Sequence, residues 1–403
     1  MEQTLSDVSV LDLTHHIAGP YCTKLLADYG ADVIKVERLG EGDPARKMGP
    51  FFEDDPHPEK SGLFLHLNTN KRSITLNLKS ETGKKILKQL VKDVDILVES
   101  FRPGVMARLG LDYATLEKTN PKLVMTSISS FGQTGPYRDF KASEAILYGM
   151  GSAMHFTGLP DRQPLKLGGT VIQFQVGNVA AVATMIALYG SEIRGSGEHV
   201  DVSAMETLLG SMDRRAPDLV GHQYTGEVGP RTSAVPKSFP WAIYPCKDGY
   251  IDIVGGGPYF FPRTARMLGM PELTQDLRYV LGTDDAEVKD EFEAKYWYPW
   301  IIERTREEFM EAAQREGVPS APVNTIEEVL NDTHFKERGF WVEIDHPMTG
   351  KVKYPGAPFR MSEGPWQIRR TAPLLGEHNE EVYSKMQGYT KQDLVKLRER
   401  GII

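Results

Sequence analysis

Cysteine is almost absent from this chain of 403 residues, which contains only Cys22 and Cys246. Two cysteines cannot form a disulfide framework or a cysteine-rich metal site, and they are typical of a protein in a reducing compartment. Basic residues are also too few for a nucleic-acid-binding protein. The chain has 47 Lys and Arg against 55 Asp and Glu, which leaves a net charge of −8.

Long apolar runs are scarce as well. The longest, residues 176–188, is shorter than the roughly 20 residues that a membrane-spanning helix requires, and the first residues lack the pattern of a signal peptide. The neighbouring His15 and His16 do not suggest a metal site, because adjacent side chains on an extended segment point to opposite sides. We expect a cytoplasmic protein that binds no metal, membrane or nucleic acid.

The segments that are present alternate between strand-like and helix-like patterns. Apolar residues make up 40% of the chain and charged residues 25%, which is enough to bury a sizeable core. Such alternation is typical of an α/β fold with a mostly parallel sheet, whose ligands lie at the carboxyl ends of the strands. We predict strands at 8–13, 31–36, 72–78, 95–98 and 123–129, and helices at 18–29, 83–91, 175–194 and 202–215.

Two stretches of turn-forming residues divide the rest of the chain. Residues 225–237 and 319–324 are predicted linkers, because Gly, Pro and Thr interrupt the periodic patterns there. Between them, residues 238–318 form a smaller mixed α+β segment with a predicted strand at 249–254. After them, the pattern predicts a strand at 341–344 and a charged helix at 391–400.

Three motifs of the smaller segment and the tail have structural interpretations. Gly255, Gly256 and Gly257 follow a strand without the Lys-Ser/Thr of a phosphate loop, which favours a plain turn. Aromatic residues at 296–300 could stack on a nucleotide base, but packing between helices is the favoured interpretation. For His378, a structural role is favoured.

Eight short motifs carry a more specific signal. They lie, in chain order, at residues 10–14, 18–20, 26–37, 70–74, 98–104, 131–137, 195–203 and 372–378. Their sequences and their order resemble those of class III (CaiB/BaiF-type) CoA-transferases, over nearly the whole chain. The resemblance implies a large Rossmann-like domain formed by residues 1–224 and 325–403, with the smaller domain inserted between the linkers. It also implies an interlocked dimer with its active site at the interface.

Coenzyme A and its acyl esters are the substrates that the resemblance implies. In the family reaction, an aspartate attacks an acyl-CoA thioester and forms a mixed anhydride, and CoA then moves to an acceptor acid. The residues that match the family's CoA contacts are Ala18, Arg38, Lys71, Arg72, Phe101, Arg108 and Lys141. Free N–H groups at the helix start near Ala18 and the arginine side chains suit phosphates, although solvated surface cations would give the same pattern.

The catalytic position departs from the family pattern. Counted back from Gly177, the position of the family's aspartate is occupied by Gln173, and no acid lies between Asp161 and Glu192. An amide carries no negative charge and does not attack a thioester. Ile17 replaces a glutamine that helps to hold the reacting carbonyl in relatives, and Ser100 replaces a common asparagine.

Three hypotheses follow from this departure. In the first, the chain is the non-catalytic subunit of a heteromeric CoA-transferase, and a homologous partner carries the aspartate. It resembles the aspartate-lacking subunit of benzylsuccinate CoA-transferase, which implies transfer from succinyl-CoA to benzylsuccinate. In the second, a homodimeric transferase or acyl-CoA isomerase uses another acid such as Glu144. In the third, the chain binds CoA esters without turnover.

Overall fold

A computed structural model describes residues 3–210, 215–229, 231, 237–283 and 285–403. The chain divides into two compact units. The first contains Met1–His155, Lys166–Val228 and Gly339–Ile403, and the second contains Phe156–Leu165 and Gly229–Arg338.

A six-stranded parallel sheet forms the centre of the first unit, with the order β3-β2-β1-β4-β5-β6. Its strands are β1 (Ser9–Leu13), β2 (Asp32–Glu37), β3 (Lys71–Thr75), β4 (Ile96–Glu99), β5 (Val124–Ser129) and β6 (His199–Ser203). The predicted α/β class and parallel sheet are confirmed, and the strand order is that of a Rossmann fold. The topology reverses between β1 and β4, where such folds bind their ligands at the carboxyl ends of the strands.

Helices cover both faces of this sheet. They are α1 (Ala18–Asp28), α2 (Gly62–Leu67), α3 (Glu81–Val91), α4 (Val105–Leu109), α5 (Tyr113–Leu116), α6 (Glu144–Met150), α7 (Val171–Arg194), α8 (Ala204–Gly210) and α9 (Arg215–Thr225). Neighbouring strand residues contribute to separate cores, because side chains alternate between the faces. Val10 and Val98 belong to one core, while Leu11 and Leu97 belong to the other.

The prediction of one helix over 202–215 was wrong at its start. Val202 and Ser203 end β6, which pairs in parallel with β5, and the helix α8 begins only at Ala204. Residues 211–214 lie outside the described part of the chain. Pairing with β5 joins segments that are distant in sequence, so local periodicity did not reveal it.

Helices α1 and α7 pack closely in the first unit. The rings of Tyr21 and Phe174 meet edge to face, with 4.9 Å between their centroids. Gly177 allows this approach, because a Cβ added there would lie 2.7 Å from the carbonyl oxygen of Ala18. The first turns of the two helices are therefore held together.

Helix α7 begins four residues before its predicted start and has 24 residues. By length and composition alone it could cross a membrane. Its buried residues, which include Ile172, Val176 and Ala180, belong to the core beside the sheet. One face of α7 therefore packs on the core of the first unit.

The second unit has an antiparallel three-stranded sheet of β7 (Trp241–Cys246), β8 (Gly249–Val254) and β9 (Ser320–Pro322). Its helices are α10 (Gly257–Met267), α11 (Leu277–Leu281), α12 (Ala286–Phe292), α13 (Tyr298–Ile301), α14 (Arg306–Glu316), α15 (Ile326–Asn331) and α16 (Thr333–Glu337). Trp297 is fully buried and contacts Tyr244, Phe292 and Phe309, which confirms the packing interpretation of the aromatic segment. The glycines at 255–257 form the predicted turn into α10, where Thr264 Oγ1 donates to the Gly255 carbonyl at 2.8 Å.

The observed division differs from the predicted domain boundaries. Residues 319–324, predicted as a linker, include β9, which pairs with β8. Residues 325–338 belong to the second unit rather than to the large domain. An ion pair between Arg306 of α14 and Glu328 of α15 is one of the contacts that join α15 to this unit. Residues 156–165 also belong to the second unit.

The final segment returns to the first unit. It forms an antiparallel pair of β10 (Trp341–His346) and β11 (Gly350–Pro355), followed by α17 (Lys391–Glu399). His378 Nδ1 accepts the Ser73 N–H at 3.2 Å, in agreement with a structural role. Short 3₁₀ turns in the chain lie at Pro44–Lys47, Phe52–Asp54 and Pro271–Gln275, and π-helical turns at Glu293–Trp297 and Glu381–Met386.

The close packing of α1 and α7 predicts a contrast between two glycines of α7. Gly177→Ala places its new methyl against the rigid Ala18 carbonyl and should lower the free energy of unfolding by about 1–3 kcal/mol. In Gly190→Ala the new methyl meets only the flexible end of Arg194, so a gain of up to about 1 kcal/mol in helix propensity is expected. Urea unfolding measures both, and equal effects would contradict the close contact.

Candidate active site

Two short loops follow β1 and β4 and meet at the carboxyl ends of these strands, the position that we call the crevice. The backbone N–H of His15, which follows β1, donates to Ser100 Oγ at 3.0 Å. The ring of His15 meets that of Phe101 edge to face, with 5.6 Å between their centroids. Burial lowers the pKa of His15 to about 4, so its imidazole is neutral at physiological pH.

A buried network of charges lies directly beneath this crevice. Asp12 Oδ2 accepts from Lys71 Nζ at 3.0 Å, and Lys35 Nζ lies 2.8 Å from Asp43 Oδ2. All four side chains are fully buried. Although burial alone favours the neutral acid, the ammonium groups of Lys35 and Lys71 hold the pKa of Asp12 far below its usual range. The network therefore contains ionised, mutually paired groups.

The same network fixes the loop between β1 and α1. Asp12 Oδ1 accepts the Thr14 N–H at 2.9 Å, Asp43 Oδ1 accepts the His16 N–H at 3.0 Å, and Lys35 Nζ donates to the Thr14 carbonyl at 3.0 Å. Helix α1 begins after this loop without a side-chain cap. The first-turn N–H groups of a helix have no intrahelical acceptors, so the start of α1 is suited to a carbonyl oxygen or an anion.

Gln173 lies in the first turn of α7 and is half-buried. This first turn contains no acidic residue. One turn later, Gly177 packs against Ala18. Gln173 therefore lies one turn before the residue that packs on Ala18, and the buried Ile17 occupies the N-cap of α1.

Glu144, at the start of α6, is the acid that is linked to the segment before α7. Its side chain is 9% exposed, and its Oε1 lies 3.5 Å from Lys166 Nζ. Lys166 Nζ also donates to the carbonyl oxygens of Leu167 and Gly169, both at 2.6 Å. Within the described part of the chain, the buried Oε2 of Glu144 has no hydrogen-bond partner.

Glu99 is a functional candidate that the sequence analysis did not identify. It ends β4, is buried, and accepts the Phe101 N–H at 2.7 Å. Burial raises its pKa to about 7, with a smaller contribution from Asp201. Glu99, Ser127 and Asp201 face each other in register across β4, β5 and β6. Its position at the end of a strand beside the topological switch was the available signal.

Comparison with known proteins identifies the family to which this arrangement belongs. A sequence model described as CoA-transferase family III matches residues 5–379. The chain belongs to CoA-transferase family III. It is 35% identical to the succinyl-CoA–D-citramalate CoA-transferase of Chloroflexus aurantiacus, over 99% of this chain and 98% of that protein. It is 33% identical to the succinate–glutarate CoA-transferase of Agrobacterium fabrum, over 95% of this chain and 96% of that protein.

Solved structures agree with this assignment. A CAIB/BAIF family protein from Brucella suis superposes with a TM-score of 0.83 and 30% identity, over 96% of this chain and 100% of that chain. The predicted family and fold are confirmed, and the relatives support CoA transfer between carboxylic acids as the reaction class.

The CoA contacts expected in this family III chain differ in exposure: Ala18 is buried and Phe101 is partly buried, whereas three of the cations are exposed. Ala18 and Phe101 lie at the crevice, at the start of α1 and after β4. Arg38 follows β2 with its side chain 57% exposed, and lies 3.9 Å from Glu41. Arg108 on α4 and Lys141 before α6 are also exposed. The exposure of Arg38, Arg108 and Lys141 leaves their charges accessible to a ligand.

Lys71 and Arg72 require correction, because the structure gives them internal partners. The three ammonium donors of Lys71 are taken by Asp12, the Pro20 carbonyl and Asn68, at 2.8–3.0 Å. Arg72 binds both carboxylate oxygens of Asp32 and also Glu381. Asp32 begins β2 and therefore lies at the amino ends of the strands, whereas the crevice lies at their carboxyl ends. Both cations stabilise the fold and have little capacity left for a nucleotide phosphate.

The raised pKa of Glu99 predicts a pH-dependent stability. Between the ordinary glutamate value of 4.5 and about 7, Glu99 binds a proton in the folded chain that it has lost in the unfolded chain, so its contribution to stability falls as the pH rises through this window. We expect Glu99→Gln to abolish this fall, gaining up to about 3 kcal/mol over the wild type between about pH 4.5 and about pH 8. Urea unfolding across this range measures the difference.

The control for this experiment is Glu192→Gln, which replaces an exposed glutamate of α7. Its stability relative to the wild type should not vary with pH in the same way. If Glu99→Gln behaves like this control, the buried carboxyl of Glu99 is ionised at the same pH in the folded and unfolded chains, and the account of Glu99 is wrong.

Proposed function

We propose that this chain is the non-catalytic subunit of a heteromeric class III CoA-transferase, whose homologous partner subunit supplies the nucleophilic aspartate. The observation that carries the proposal is the first turn of α7, where Gln173 occupies the family's aspartate position and no acid is present. Ile17, which is buried at the start of α1, stands where relatives have a polar glutamine that helps to hold the reacting carbonyl.

The chemistry explains why an amide at this position is inactive. A carboxylate attacks the thioester carbonyl of the donor, which forms a mixed anhydride and releases CoA thiolate. The thiolate attacks the aspartyl carbonyl of the anhydride, giving an aspartyl-CoA thioester and the free donor acid. The acceptor carboxylate repeats the two steps in reverse order, which regenerates the aspartate and forms the new acyl-CoA. The first step, on which all the others depend, needs an ionised carboxylate on the enzyme, and Gln173 has none.

The features expected to bind CoA remain in the chain. The uncapped start of α1 offers N–H donors, Phe101 offers an apolar face, and Arg38, Arg108 and Lys141 offer exposed positive charge. We therefore include CoA-ester binding in the proposed function. Succinyl-CoA as donor and benzylsuccinate as acceptor are the first pair to test, because the names of two relatives contain succinyl-CoA or succinate.

A second candidate function rests on Glu144. Its buried Oε2 has no partner in the described part of the chain, and its other oxygen faces Lys166, which binds the segment leading into α7. A carboxylate so placed supports the alternative of a homodimeric enzyme that uses Glu144 in place of the aspartate. This alternative is less favoured, because Gln173 and Ile17 both stand at positions where the family has residues that serve its reaction.

The exposed face of α7 supports an assembled state, as the interlocked dimer of the resemblance implies. Val182, Ile186, Tyr189 and Ile193 are each 61–68% exposed. Their spacing places them on one face of the helix. Soluble proteins rarely leave a continuous apolar stripe uncovered, so we propose that the partner subunit covers it.

Turnover should require both subunits. We expect the chain alone to show no CoA transfer, and a co-purified complex with an aspartate-bearing homologue to be active. In that complex, Gln173→Ala should leave kcat nearly unchanged, whereas replacing the partner's aspartate with asparagine should reduce it by ~10⁴-fold or more. The measurement is CoA transfer from succinyl-CoA to benzylsuccinate, followed by chromatography of the thioesters.

Two outcomes would decide against the proposal. Turnover by the lone chain that is lost in Glu144→Gln would support the homodimeric enzyme. CoA binding by the lone chain, with no stable complex and no activity in any mixture, would support a CoA-ester-binding protein without turnover.

The stripe on α7 predicts the effect of a charge within it. Ile186→Glu should weaken complex formation by about tenfold or more, because an ionised side chain would be buried in an apolar interface. The control is Val395→Glu on α17, which replaces a similarly exposed but separate apolar residue. Light scattering coupled to size exclusion measures the association. If both variants assemble like the wild type, the stripe is not the interface.

A further inference from the structure

Two arginine side chains converge beside the start of α4. Gly104 adopts a left-handed backbone with φ of 77°, and a Cβ built there would lie 3.5 Å from Arg108 Nη1 and 3.7 Å from Arg138 Nη2. The two guanidinium nitrogens are therefore within about 7 Å of each other. Arg108 follows β4 and Arg138 follows β5, so both lie at the carboxyl ends of adjacent parallel strands, where α/β folds bind ligands.

The loop that carries Arg138 is held in place. Its aromatic residues Phe131, Tyr137 and Phe140 contact one another, with centroid distances of 5.0–6.3 Å. The backbone N–H of Gln133 donates to the Asp201 carboxylate on β6 at 2.8 Å. The position of Arg138 opposite Arg108 is thus set by contacts of its own loop.

The charges of the two arginines are poorly compensated. Across the residues that the structure describes, no carboxylate forms an ion pair with Arg108, and that of Arg138 is its neighbour Asp139 at 3.4 Å. Asp139 is 74% exposed, so solvent screens this pair. Two nearby guanidinium groups without an acid between them repel each other, and an anion that both can bind would relieve this repulsion. Arginine forks fit phosphate oxygens in a bidentate manner.

We propose that Arg138, together with Arg108, binds a phosphate group at the nucleotide end of CoA. The inference rests on the proposed CoA binding by this chain and extends it, since of these two arginines only Arg108 matches a CoA contact of the family. Arg138 is a binding residue and takes no part in the transfer step. The phosphate is either the 3′-monoester or the diphosphate of CoA, which share the oxygens that arginine recognises.

Calorimetric titration of the full chain with CoA tests the site, with Arg138→Gln, Arg138→Lys and Lys122→Gln as variants. Lys122 is exposed just before the amino end of β5, whereas Arg138 follows the carboxyl end of that strand. It serves as the charge-matched control. We expect Arg138→Gln to weaken CoA binding by about tenfold or more, Arg138→Lys to weaken it less, and Lys122→Gln to leave it unchanged. Thermal unfolding of each variant verifies that it folds.

Two further ligands distinguish the phosphates. If Arg138 binds the 3′-monoester, 3′-dephospho-CoA should bind the wild type and Arg138→Gln equally. If it binds the diphosphate, 3′-dephospho-CoA should lose affinity in the variant as CoA does. Pantetheine, which has neither phosphate, should bind the wild type and Arg138→Gln with equal affinity in both cases.

The titration gives different results if Arg138 does not contact CoA and if the chain does not bind CoA at all. An unchanged CoA affinity in the folded Arg138→Gln variant would overturn the inference and leave CoA binding by this chain intact. The absence of CoA binding to the wild-type chain, alone and in its complex, would overturn both.

Discussion

The pairing of Asp12 with Lys71 and Lys35 is the constraint on which the rest of the site depends. These fully buried charges join β1, β2 and β3 to the loop that begins α1. Burial lowers the pKa of Lys71 to about 8 even beside the Asp12 carboxylate, which shows how strongly the site is desolvated. Removing one partner of such a buried pair typically costs about 3–5 kcal/mol, so the ions are retained together. The uncapped start of α1 is thereby held rigidly at the crevice.

This scaffold does not depend on the nucleophile. The loop before α1, the close contact of Gly177 with Ala18, and the exposed arginines after β2 and β4 are all set by interactions that do not involve Gln173. A subunit can therefore keep the fold and the surfaces that a partner needs after its own chemistry is lost. The apolar stripe on α7 is a surface of the kind that a partner subunit covers.

Sequence patterns predicted the local features well and the non-local ones poorly. Strand β8 matched its prediction at both ends, and β1 matched within one residue, because alternation and turn residues are local signals. The pairing of β6 with β5 and the internal partners of Lys71 and Arg72 depend on residues far apart in sequence. Glu99 and Arg138 were not predicted for the same reason. Glu99 is a candidate because it is buried, and Arg138 is one because the guanidinium group of Arg108 lies near it, and neither property is local in sequence. The family register assigned Gln173 to the aspartate position, but the predicted helix began only at residue 175, so the location of Gln173 inside α7 was not foreseen.

The most direct test of the central claim is intact-mass analysis of the separated subunits after brief reaction with a donor acyl-CoA. The account predicts a covalent CoA adduct on the aspartate-bearing partner and none on this chain, since Gln173 cannot form an acyl-type intermediate with CoA. An adduct on this chain, localised by peptide mapping to Glu144 or to any other acid, would contradict the account and make this chain a catalyst.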